Sequence, residues 1–239
     1  MKYALIFAGG VGARMHTKAT PKQFLEVYGK SIIAYTVAHF QNHKSIDKII
    51  IVCVETHIDL MWKIVRQHDF DKVLDVVPGG ASGQESIWNG LSCLEQIAQD
   101  GDIVLIHDGV RPIIDERLIT QNINSVIEFG SAISASSAIE TFCLTGEQGT
   151  LDKVLRRSEC VIAKAPQSFW LKDILECHHK AQEEGFYDAI DSASLMMRYG
   201  HVLHYVSCNN ANIKITTPHD YYIFKGLLDA EESMQIIGL

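Results

Sequence analysis

The chain has 239 residues, 47% of them apolar and 21% charged, with a formal net charge of −8. That length fits a single α/β domain over residues 1–239, and the apolar share excludes disorder. The acidic balance excludes a general nucleic-acid binder, whose footprint is a basic face, while leaving room for a local basic pocket.

Tyr3–Phe7 reads as a short buried strand that empties into Ala8-Gly9-Gly10-Val11-Gly12-Ala13-Arg14. Glycines in such a loop permit positive φ and bring backbone N–H groups close to an anion, as a phosphate cradle requires. Met15 stands where a dinucleotide fingerprint needs its third glycine, and the Gly-Lys-Ser/Thr ending of a Walker loop is missing. A plain strand–turn–helix would account for Gly-x-Gly alone. Arg14 and the Pro21-Lys22-Gln23 step add the charges that point to a triphosphate.

Lys48–Val54, Val73–Val77 and Asp102–Ile106 follow as strands, each apolar on both faces in the manner of a covered parallel strand. Between them Ile33, Val37 and Phe40 share one helical face, as do Leu60, Ile64 and Val65, then Ile87, Leu91 and Leu94. This alternation predicts right-handed βαβ units and an α/β fold with a doubly wound, mostly parallel sheet. Ligands of such sheets lie at the carboxyl ends of the strands.

Gly79-Gly80-Ala81-Ser82-Gly83-Gln84-Glu85-Ser86 opens the third of these helices. Its small residues would let a flat base approach backbone groups and Ser86; a flexible loop with a serine cap is the alternative. In His107-Asp108-Gly109-Val110-Arg111-Pro112, Asp108 ends a buried strand and is placed to hold Mg²⁺. Arg111 would pair with Asp108 or take a phosphate bidentately, and the alternative is an ordinary turn. From Glu140 to Glu159 the pattern weakens around Gly146 and Gly149, which reads as a protruding arm or hairpin rather than a structureless loop. In Asn212-Ile213-Lys214-Ile215 the lysine of a short apolar strand points away from both isoleucines, toward a site or toward solvent. Thr217 caps and Pro218 opens the last helix, with Ile223, Leu227 and Leu228 inward.

The six cysteines, no two closer than 17 residues, contain no C-x-x-C pair and read as reduced core residues. The eleven histidines form no metal constellation, and no G-x-S-x-G elbow is present. There is no leader pattern, and no apolar run approaches the roughly 18 residues of a membrane span. A cytoplasmic protein without membrane contact is therefore expected.

In order and spacing these segments, together with Pro166-Gln167, resemble the cytidylyltransferases that make CDP-alditols. That group includes 2-C-methyl-D-erythritol 4-phosphate cytidylyltransferase and D-ribitol-5-phosphate cytidylyltransferase. The resemblance implies a Rossmann-like nucleotidyltransferase, Mg²⁺-dependent, that joins CTP to a polyol phosphate. Phe7, Ala8, Gly9, Gly10 and Gly12, with Gly79, Gly80, Gly83 and Ser86, would hold CTP, bordered by Asp108. Arg14 and Lys22 would stabilise the pentavalent phosphorus, while Arg157 and Lys214 position the polyol phosphate beside Arg111, Thr141 and Asp191. A homodimer with crossing arms is implied for residues 140–160.

The departures favour the ribitol branch of wall and capsule synthesis. Ala165-Pro166-Gln167 and Ile190-Asp191-Ser192-Ala193-Ser194 stand where the isoprenoid branch commonly has Thr-Pro-Gln and Thr-Asp-Glu-Ala-Ser. Two hydroxyls and a carboxylate expected around methylerythritol are thus absent. The Gly79 loop also carries Gly83-Gln84-Glu85 in place of that branch's Glu-Arg step. The other readings are a methylerythritol phosphate enzyme, a catalytically weak nucleotide-binding regulator on the same fold, and a Rossmann oxidoreductase. The intact charge set argues against the regulator. The missing third glycine argues against the oxidoreductase.

Overall fold

In the computed structural model, which describes residues 1–9 and 20–237, the two-residue period of the strands divides their side chains between two cores. From β1 (Lys2–Ala8), Ala4, Ile6 and Ala8 enter one core while Tyr3 and Leu5 enter the other. β4 (Lys48–Cys53) divides the same way, Ile49, Ile51 and Cys53 against Ile50 and Val52. Between these strands lie a small hairpin, β2 (Glu26–Val27) and β3 (Lys30–Ser31), and α1 (Ile32–Asn42). α2 (Ile58–Gln67), β5 (Val73–Pro78), α3 (Gly83–Glu95) and β6 (Ile103–Asp108) complete the βαβ run. Then come α4 (Glu116–Phe129), β7 (Ser131–Ser137), the arm strands β8 (Cys143–Thr145) and β9 (Leu151–Val154), and β10 (Val161–Trp170). α5 (Leu171–Glu183), α6 (Ser192–Arg198), β11 (Tyr205–Ser207) and α7 (Pro218–Ile237) follow.

The main sheet runs β11-β7-β10-β6-β1-β4-β5. β6, β1, β4 and β5 are mutually parallel and β11 is parallel to β7, whereas β10 runs antiparallel to both its neighbours. The fold is therefore the expected mostly parallel α/β sheet. α1, α2 and α4 cover one face and α3, α5 and α6 the other. Phe224 of α7 is fully buried against Val27, Ile32, Val110 and Ile215. Burial of such a ring is worth roughly 2–3 kcal/mol and fastens the chain just after Lys214.

Some local expectations need correction. β5 is an edge strand, so Leu74 and Asp75 are exposed rather than covered. In α2, Leu60 points outward and Met61 takes the buried position. In α7, Ile223 is exposed and Phe224 is the anchor, because the buried stripe lies one residue later than the apolar pattern implies. Residues 212–215 form no strand; Ile215 is buried, whereas the Lys214 side chain is partly exposed and reaches Asp108. The arm is a hairpin outside the main sheet, reversing at Gln148 and Gly149, both at positive φ. Of the cysteines only Cys53 and Cys177 are buried, and Cys93 is exposed; all six are free. Among the described residues no helix is long and apolar enough to cross a membrane.

Candidate active site

The parallel strands β1, β4, β5 and β6 end on one edge, and their first residues beyond the sheet form the site. Gly9 leaves β1 and Gly79 leaves β5 side by side, with the Gly79 N–H bonded to the Cys53 carbonyl at 2.7 Å. A methyl group on Gly79 would stand 3.1 Å from the Gly9 Cα, and one on Gly9 would stand 2.8 Å from Ser86 Oγ. Only glycine lets the two loops approach this closely. Ser82 caps α3 by accepting the Glu85 N–H at 3.0 Å. The Ser86 hydroxyl accepts the Gly80 N–H at 3.0 Å and donates to the Ser82 carbonyl at 2.9 Å. The loop is a capped helix start that Ser86 organises from within.

Lys22 begins a short 3₁₀ turn, Lys22–Phe24. The sequence reading missed what fixes that turn. Gln23, 1% exposed, donates from Nε2 to the Ala8 carbonyl at 2.7 Å, and Phe24 packs into the core and stacks on His57. Gln23 thereby ties the lysine turn to the end of β1. A glutamine next to an apolar residue gives no periodic signal, so only the tertiary contact reveals it.

A cavity of 520 Å³ opens beside these loops, lined by Phe7, Ala8, Gly9 and Lys22 on one side and Gly80, Gly83 and Ser86 on the other. A second lobe of 210 Å³ is lined by Arg111, Lys164, Gln167 and Asp191. Phe7, Gly83, Asp108 and Lys214 line both. Asp108 and Lys214 therefore stand where the two lobes meet.

Asp108 ends β6 with its side chain 9% exposed. Lys214 Nζ lies 2.5 Å from its Oδ1, and Arg111 Nε donates to its Oδ2 at 2.8 Å. Burial alone would raise the carboxyl's pKa, but the Lys214 and Arg111 charges outweigh it and hold it below the ordinary carboxylate value. Arg111 also donates from Nη1 to the Asn212 carbonyl at 3.0 Å, and the Ile215 N–H bonds the Val110 carbonyl at 2.9 Å. These bonds, which sequence spacing cannot show, bring the segment carrying Lys214 alongside the Asp108 turn.

His107 is fully buried behind that turn, and its Nε2 lies 3.1 Å from the Arg111 carbonyl. Burial pushes its pKa down to about 4, so the ring is neutral and donates to that carbonyl. The unfolded chain takes up this proton at about pH 6.5 and the folded chain resists it down to about pH 4. His178, buried against Trp88, behaves alike. Stability is expected to be full above pH 6.5 and to fall steadily between pH 6.5 and 4, a trend that thermal midpoints across that range would check.

Asp191 caps α6 through a reciprocal pair with Ser194, and its Oδ2 accepts from Gln167 Nε2 at 2.8 Å. Gln167 Oε1 in turn accepts the Ala193 N–H at 2.9 Å. Asp191 thus has a structural task as well as a place in the second lobe. Thr141 and Arg157 line neither cavity. They sit on the exposed arm, 3.4 Å apart from Oγ1 to Nη2. Gly10, Gly12 and Arg14 lie outside the described residues.

The expectation that Asp108 holds a metal fits this donor set poorly. Each of its oxygens already faces a cation, which a metal bound there would have to displace. The two lobes are lined by Lys22, Arg111, Lys164 and Lys214 but by only two carboxylates, Asp108 and Asp191. In a chain of net charge −8 this local positive excess selects for anionic ligands.

The family model of IspD, 2-C-methyl-D-erythritol 4-phosphate cytidylyltransferase, matches residues 3–229. The chain is 48% identical to the ribitol-5-phosphate cytidylyltransferase of Vibrio parahaemolyticus over 238 residues, covering 100% of both chains. It is 50% identical, again over 100% of both, to the protein of that name from Streptococcus agalactiae. Among solved structures, the 4-diphosphocytidyl-2C-methyl-D-erythritol synthase of Anaerococcus prevotii superposes with a TM-score of 0.82 at 26% identity, over 95% of this chain and 96% of that one.

Proposed function

The chain belongs to the 2-C-methyl-D-erythritol 4-phosphate cytidylyltransferase family and is a CTP-dependent nucleotidyltransferase, and on that premise we propose that it transfers CMP from CTP to D-ribitol 5-phosphate, releasing CDP-ribitol and pyrophosphate. The observation that carries this reading is the pair of cationic lobes meeting at Asp108 and Lys214. CTP takes the glycine-lined lobe and the polyol phosphate takes the lobe of Arg111 and Asp191. The junction is then where the two phosphates must meet.

An oxygen of the acceptor phosphate attacks the α-phosphorus. A new P–O bond forms as the bond to the bridging oxygen breaks, and pyrophosphate leaves with that electron pair. The attacking oxygen is already anionic near neutral pH, so no general base is needed. Catalysis is then positioning and charge neutralisation. Lys22 and Arg14 offset charge on the phosphorus and the leaving group, while Lys214, held by Asp108, aims the nucleophile with Arg157. Mg²⁺, if bound, would add to the neutralisation of phosphate charge.

Ribitol 5-phosphate is favoured over methylerythritol 4-phosphate by the relatives at 48% and 50% identity and by Ala165, Ile190 and Ser192 in the acceptor lobe. The family model and the superposed structure both carry the methylerythritol name, which makes that acceptor the second reading. Pyrophosphate release with CTP and a panel of ribitol, xylitol, arabinitol, glycerol and methylerythritol phosphates tests both. Activity with methylerythritol phosphate alone would reverse the ranking, and silence across the panel would remove the reaction.

A cytoplasmic homodimer completes the reading. Leu144, Leu151 and Val154 of the arm are exposed, as large apolar residues awaiting a partner would be. Arg157 and Thr141 line neither lobe of their own chain and would enter the partner's. Mixing separately inactive Lys22→Ala and Arg157→Ala proteins under subunit exchange should then restore about a quarter of wild-type activity, since half the dimers are mixed and each has one intact site. No recovery in mixed dimers verified by mass would exclude arm crossing.

A further inference from the structure

The acceptor lobe contains polar groups to which the reaction described above gives no task. Lys164 lies in the stretch of β10 between Ala163 and Gln167, where pairing with β7 shifts register. Such irregularities re-aim side chains, and Lys164 lines the lobe. Its ammonium donates to the Asn210 carbonyl at 3.0 Å and reaches the Asn209 carbonyl at 3.5 Å. Burial lowers its pKa, and the nearby Arg111 charge adds to that effect. A lysine has three N–H donors, so one remains beyond these two carbonyls.

Two further groups share this lobe. Ser192, at the start of α6, is 1% exposed, and its hydroxyl has no hydrogen-bond partner among the described residues. Gln84 Oε1, from the first turn of α3, is also buried without a partner. Buried polar atoms are ordinarily bonded, so unpaired ones on residues that line a ligand cavity call for partners that a ligand can bring. A phosphate supplies acceptors only. Gln84 Oε1 needs a donor, the free Lys164 N–H needs an acceptor, and the Ser192 hydroxyl takes either. Hydroxyl groups answer all three demands, and a pentitol carries them along its chain.

We propose that Lys164, Gln84 and Ser192 read the hydroxyls of the acceptor's carbon chain and set the preference for a pentitol phosphate over the branched methylerythritol phosphate. The inference rests on the cytidylyl-transfer reading and assigns these residues to acceptor selection, leaving phosphate binding to Arg111 and Lys214. Methylerythritol phosphate has one hydroxyl fewer and a methyl branch, so on this proposal it leaves Lys164 and Ser192 unpaired. Sites built to bond a hydroxyl reject analogues that lack it far better than apolar pockets sort by size.

The test compares wild type with Lys164→Met, Lys164→Arg and Ser192→Ala. It reads the KM for ribitol 5-phosphate, the KM for CTP, and the inhibition constant of methylerythritol 4-phosphate as a competitor. Lys164→Met and Ser192→Ala should each raise the ribitol phosphate KM about tenfold, as for loss of one good hydrogen bond. The CTP KM and the methylerythritol inhibition constant should stay within about twofold, and Lys164→Arg should recover most of the affinity. An unchanged ribitol phosphate KM, or a parallel rise in the inhibition constant, would overturn the inference while leaving cytidylyl transfer standing. Wild-type enzyme that accepts no pentitol phosphate would overturn both the inference and the proposed acceptor.

Discussion

Lys22→Ala is expected to lower turnover by about a hundredfold or more while the thermal midpoint stays within a degree or two of wild type. Removing one preorganised donor from a site of developing charge costs roughly 3 kcal/mol of barrier, and each 1.4 kcal/mol is about tenfold in rate. The turn should persist in the variant because Gln23 and Phe24 anchor it in the core. The loss should appear in kcat more than in the KM for CTP, since charge on the leaving group grows toward the transition state. Steady-state pyrophosphate release beside thermal unfolding separates the two effects. A variant turning over within threefold of wild type would remove Lys22 from the chemistry.

Asp108→Asn is expected to cost both activity and stability. Whichever way the amide sits, it turns an NH₂ group toward either Lys214 or Arg111, which now confront each other without their anion. Removing one member of a buried ion pair costs about 3–5 kcal/mol; with Lys214 partly open to solvent, about 2–3 kcal/mol is expected. Turnover should fall at least as far as in Lys22→Ala, since Lys214 loses the group that holds it at the junction. Lys214→Met supplies the control: Asp108 keeps Arg111, so activity should be lost with a smaller stability change. The pH dependence has a definite sign. Because the folded carboxyl lies below its ordinary value of 3.8, its contribution is complete above that pH and lost only as pH falls through the folded value. The stability gap between wild type and Asp108→Asn should thus stay flat from pH 5 upward and close only below about pH 4. Equal stability of the two proteins at pH 7 would refute the ion-pair account.

Much of the fold was legible because burial leaves a period in the sequence. Tyr3–Phe7, Lys48–Val54 and Asp102–Ile106 are covered on both faces and read as continuous apolar runs, each within two residues of the strand observed. β7 was not legible. Ser131–Ser137 is rich in serine and alanine, and its burial depends on α4, where Asn122 Nδ2 donates to Ser134 Oγ at 3.0 Å and Ser168 Oγ donates to Asn122 Oδ1 at 2.9 Å. A polar network in a core satisfies its own groups and leaves no hydrophobic signature. β10 escaped for a related reason, since its lysine, proline and glutamine interrupt the alternation that marks a strand.

Local order along the chain determined the phosphate-binding half of this protein. The glycines after β1 and β5, Lys22 and Asp108 lie at the carboxyl ends of parallel strands, and a doubly wound sheet brings those ends to one edge whatever the details of packing. How the acceptor half is assembled was decided by tertiary structure. β10 runs antiparallel to β6 and so brings its opening residues, Lys164 among them, to the edge where β6 ends. Phe224 and the Ile215–Val110 bond hold Lys214 against a turn about a hundred residues earlier in the chain. Sequence patterns record the faces that short segments bury. Contacts between distant segments, each resting on a single polar bond or one buried ring, have no period and become visible only once the chain has folded.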